Sequence, residues 1–73
     1  MKPTKAVTVE MIRELSNRRH DMEYSSNPSL GLRKADGLLK KIMEFERAGY
    51  FVPPEYGHAI FYYKETVGDF IRT

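Results

Sequence analysis

Apolar positions in the first two thirds of the chain recur at steps of three and four. Val9, Ile12 and Leu15 form one stripe, with Glu10, Arg13, Glu14 and Asn17 turned away from it. Thr8 stands just ahead and suits an N-cap, because its hydroxyl can accept from a first-turn amide that has no other partner. This predicts a helix from about residue 8 to 20, whose end suits Arg18, Arg19 and His20 through the negative pole of the helix. Turn formers then run from Tyr24 to Gly31. Asn27 before Pro28 reads as N-cap and first residue of a single short helical turn that ends near Gly31. Ala35, Leu38, Leu39, Ile42, Phe45 and Ala48 predict a long helix over 32–48, stopped by Gly49.

Beyond Gly49 the residue types change. Tyr50-Phe51-Val52 and Ala59-Ile60-Phe61-Tyr62-Tyr63 are rich in aromatic and branched side chains, and Pro53 to Gly57 between them supplies turn chemistry. The expectation is a two-strand hairpin over 50–63, with Ile60 and Tyr62 on one side and Phe61 and Tyr63 on the other. Val67, Phe70 and Ile71 predict a short closing helix over 65–72.

Length and composition narrow the picture. Seventy-three residues suffice for one domain, 1–73, of which 1–7 are expected to be flexible. Without cysteine there is no disulfide framework and no thiolate metal site, so packing or self-association must hold the fold. No apolar run reaches membrane-spanning length and Met1 to Lys5 lead into no signal-peptide block, which points to a soluble, cytoplasmic protein. The net charge of +2 is unevenly placed. Residues 1–48 carry ten Lys and Arg against seven Asp and Glu, and residues 49–73 carry two against three. Any basic surface therefore belongs to the helical part.

The order of helix, short helix, long helix, two-strand wing and closing helix resembles the winged helix-turn-helix family of bacterial and phage regulators. Gly31-Leu32 resembles the turn into the recognition helix, and Leu38, Ile42 and Phe45 resemble its inward positions. Arg47-Ala48-Gly49-Tyr50-Phe51-Val52 resembles the exit into the first wing strand, and Tyr62 to Ile71 the strand and helix after the wing. The Pro53-Pro54 step is also similar to small excisionase-type winged domains of phages. The resemblance implies an α+β fold, a small winged helix-turn-helix, and binding to double-stranded DNA by a transcription regulator.

A helix of this kind fits the major groove, with side chains of its first turn at base edges and basic groups further along at phosphates. Arg33 and Lys34 fall in that first turn, and Lys40 and Lys41 about two turns on. Gly37 offers either close approach to DNA or close packing against the first helix. Ser29 is a phosphate candidate at a helix start, and His58 lies near the tip of the expected wing. A basic helix face by itself is most often only a solvated face. A second reading is a module that binds a protein partner, or its own copy, through Tyr50, Phe61 and Tyr63. Seven of the nine Phe and Tyr residues fall at or after Tyr50, more than one face of a hairpin easily buries. Catalysis is not expected: there is no phosphate-cradling glycine loop, no metal-spaced cluster and no nucleophile beside either histidine, and no cofactor is implied.

Overall fold

The computed structural model describes the backbone of residues 5–72 and the side chains of residues 5–68. The element order is β1 (Lys5–Ala6), α1 (Val9–Glu23), α2 (Pro28–Arg47), β2 (Tyr50–Phe51) and α3 (Pro54–Arg72). Thr8 opens α1: its Oγ1 accepts from the Met11 amide at 3.1 Å, while the Thr8 amide is directed at the Met11 sulfur. Asn27 opens α2 in the same way, its Oδ1 accepting from the Leu30 amide at 2.8 Å, and Pro28 takes the first helical position.

Two helices expected in the middle of the chain are one. Gly31 does not end a short turn but lies buried inside α2, because the space where a side chain would stand is taken by the Tyr63 hydroxyl and the Ser25 Oγ. The helix runs on to Arg47, and Gly49, with φ +93°, provides the left-handed residue that stops it. The first helix also extends further than its stripe suggests, to Glu23, adding buried Met22 to Leu15.

The expected wing is absent. Tyr50–Phe51 does form a strand, but it pairs in parallel with Lys5–Ala6, in the register Lys5 to Tyr50 and Ala6 to Phe51. A parallel pair needs a long crossover, and the α1–α2 helical hairpin is that crossover. Residues 54–72, expected to hold a turn, a second strand and a short helix, form the single helix α3. Pro54 sits at its first position, where proline lacks only an amide that would be unpaired anyway. Burial along α3 follows the helical period: Tyr56 and Ile60 are 3% and 5% exposed, and Val67 is buried. Tyr62, expected on the same side as Ile60, is 74% exposed, and Phe61 65%.

The fold is thus α+β in the broad sense, three helices with a two-residue parallel sheet. The core unites all three helices through Leu15, Met22, Ala35, Leu38, Ile42, Tyr56 and Ile60, with Val52 entering from the link before α3. Among the described residues no polar or charged side chain is buried. Two hydroxyl contacts tie α3 to the rest, Tyr56 to Ser16 of α1 at 3.1 Å and Tyr63 to Ser25 at 3.2 Å. No helix of the described residues is long and apolar enough to cross a membrane.

Candidate nucleic-acid interface

The side of α2 turned away from Ala35, Leu38 and Ile42 carries its basic residues. Arg33, Lys40 and Arg47 are spaced by seven, so each is about 10.5 Å further along the axis and only about 20° off the line of the last. All three are exposed, as is Lys34 on the flank nearer α1. None of the four makes an ion pair with another described residue.

The acids on the same helix are largely matched. Asp36 faces Lys64 of α3 at 3.5 Å, and Glu44 lies 2.9 Å from the Lys41 ammonium. The hydrogen bond from Lys41 holds Glu44 below the usual carboxylate range, and the same bond raises the lysine above its ordinary value. Lys41 also reaches Glu14 of α1 at 3.5 Å. Of the two neighbouring lysines, therefore, Lys41 ties α1 to α2 and Lys40 projects outward.

Between α1 and α2 this surface folds into a cleft of about 310 Å³ lined by Arg18, Asp21, Leu30, Arg33, Lys34 and Gly37. Gly37 forms part of the lining, and a β-carbon placed there would stand 3.6 Å from one terminal nitrogen of Arg18, an ordinary contact. Close helix packing therefore does not require glycine at this position. Arg18 is held from behind, its Nε and other terminal nitrogen both 3.3 Å from Glu14 Oε1.

Ser29, Arg33, Lys34, Gly37 and Lys40 thus all lie on α2, with Lys41 turned aside into its ion pairs. Ser29 is exposed in the first turn of α2. His58, expected at a wing tip, is instead exposed near the start of α3. The three aromatic residues expected to meet a partner differ in exposure. Tyr63 is half-buried and bonded to Ser25, Tyr50 is half-buried with the Lys5 ammonium 5.4 Å above its ring, and Phe61 is open to solvent. Arg18, seen from the sequence only as part of a charged helix end, joins the basic surface through the pairing of α1 with α2. The spacing of Glu14 and Arg18 by four is the one signal of it in the chain. Comparison with protein families, curated proteins and solved structures finds no match to this chain.

Proposed function

We propose that the protein binds double-stranded nucleic acid through the exposed face of α2, as a small regulator of the kind its sequence resembles. The observation that carries this reading is the row Arg33, Lys40 and Arg47 with Lys34 beside it, basic groups without acid partners among the described residues on a helix whose central acids are matched elsewhere. An α-helix fits the DNA major groove, and such a row supplies phosphate contacts on its flanks. The winged-helix resemblance contributes the DNA-facing helix to this proposal; the wing plays no part in it. One helix reads few base pairs, so the working form on DNA is a dimer in the cytoplasm.

The test is titration of random duplex at two salt concentrations. On each protomer three phosphates, one each at Lys40 and Arg47 and one shared by Arg33 and Lys34, give a slope of log affinity on log salt of about −2.7, since each contributes about 0.9. Arg33→Glu with Lys40→Glu should abolish binding without unfolding the chain. A double variant that binds as the wild type sinks the reading.

A second reading rests on Phe51, Phe61 and Tyr62, large side chains that stand exposed, the last two on the helix formed by residues 54–72. Exposed aromatic surface favours a protein partner. Loss of a stoichiometric partner on Phe61→Ala with Tyr62→Ala, with duplex binding absent, would favour this reading.

A further inference from the structure

The geometry points to the cleft between α1 and α2 as the seat of one backbone phosphate, gripped by Arg18 of α1 together with Arg33 and Lys34 of α2 over Gly37; this rests on the reading of α2 as the nucleic-acid face.

Three observations converge there. The cleft has the volume to hold a phosphodiester group, and three of its six lining residues are cationic against the single acid Asp21. Arg18 is aimed by its neighbour: Glu14 takes Nε and one terminal nitrogen, leaving the other terminal nitrogen beside Gly37. That nitrogen still has donors to offer, and a planar guanidinium fixed on one edge presents them to an oxyanion with little further ordering. At Gly37, finally, nothing but this guanidinium nitrogen would lie within 4 Å of an added β-carbon beyond the helix's own backbone and chain neighbours. Glycine there costs helix stability relative to alanine and keeps the floor of the cleft low, where a long side chain would fill it. Glu14 is then a positioning residue, since its carboxylate orients Arg18 and also receives Lys41 from the opposite helix. The phosphate held here would be contacted by two helices, and so would fix how α2 lies along the duplex rather than only how tightly it is held.

The experiment compares salt-dependent binding of random duplex by the wild type, Arg18→Gln, Gly37→Leu and Arg13→Gln, with thermal unfolding run on each. Arg13 is exposed on α1 and outside the cleft lining, and its variant is the charge-matched control. Arg18→Gln should weaken binding about ten-fold and make the salt slope shallower by less than about 0.9 per protomer, since Arg33 and Lys34 still face the same phosphate. Gly37→Leu should lower affinity about ten-fold while the fold is kept, and Arg13→Gln should leave both measures unchanged. Wild-type binding with Arg18→Gln and Gly37→Leu indistinguishable from it overturns the cleft assignment and leaves the function standing. No duplex binding by the wild type at either salt overturns both.

Discussion

The Tyr63 hydroxyl of α3 covers Gly31 of α2 and shares a 3.2 Å hydrogen bond with Ser25 in the turn between α1 and α2. A methyl group at residue 31 has no room, because both hydroxyls already occupy its place. Gly31→Ala should therefore destabilise the fold by about 1–3 kcal/mol, the usual cost of overpacking. Tyr63→Phe should recover part of that loss, so the two changes together cost less than their sum in urea titrations.

Gly37 predicts the opposite sign. It lies within the same helix, but a β-carbon there meets only an ordinary contact with Arg18. Gly37→Ala should raise stability by up to about 1 kcal/mol through helix propensity alone. A loss measured in the same titration would mean that the packing of α1 on α2 is tighter than the geometry indicates.

These two glycines also explain what is legible in the sequence. The stripes of α1 and α2 are legible in part: Leu15, Ala35, Leu38 and Ile42 are buried, whereas Val9, Leu39 and Ala48, read into the same stripes, are exposed. Burial on one face leaves a period in the chain, and that same period leaves Arg33 and Lys40 on the open face. Gly31 reads as punctuation because its reason lies 32 residues away, at Tyr63. In α3, Tyr56, Ile60, Tyr63 and Val67 carry a helical period, but the aromatic and branched composition of 59–63 favours strands, and tertiary packing decides otherwise. Arg18 stays hidden because its place depends on how α1 pairs with α2, which no local pattern encodes.

Tyr56 should be sensitive in two parts. Its ring is buried among the three helices and its hydroxyl meets Ser16 at 3.1 Å. Tyr56→Phe should cost about 0.5–1.5 kcal/mol, the net worth of one hydrogen bond, whereas Tyr56→Ala should cost about 3–5 kcal/mol. Equal losses for both variants would contradict the placement of the ring in the core.

The Lys41–Glu44 pair sets a pH window. Glu44 is lowered in the folded chain, so its contribution is complete above the ordinary carboxylate pKa and is lost as pH falls through the lowered value. Lys41 is raised, so its contribution is complete below the ordinary lysine pKa and is lost as pH rises through the raised one. Urea midpoints of the wild type and Glu44→Gln should differ by a constant amount at neutral pH and converge in strong acid. Midpoints that differ equally at both pH values would contradict the pairing.

Lys40 and Lys41 should separate binding from stability. Lys40→Gln should shallow the salt slope of duplex binding by about 0.9 per protomer and leave the urea midpoint unchanged. Lys41→Gln should lower the midpoint, since it removes two ion pairs, and alter binding less.

The way α3 is attached has a kinetic consequence. α1 and α2 are joined by a four-residue turn, so their packing involves short chain separations, whereas α3 reaches back across the molecule through Tyr56 and Tyr63. Short separations close first because they cost less loop entropy. The helical hairpin should then form the folding nucleus with α3 docking last. Leu38→Ala would slow refolding, and weakening the Tyr63 contact would chiefly hasten unfolding, making α3 the end from which the native state is lost.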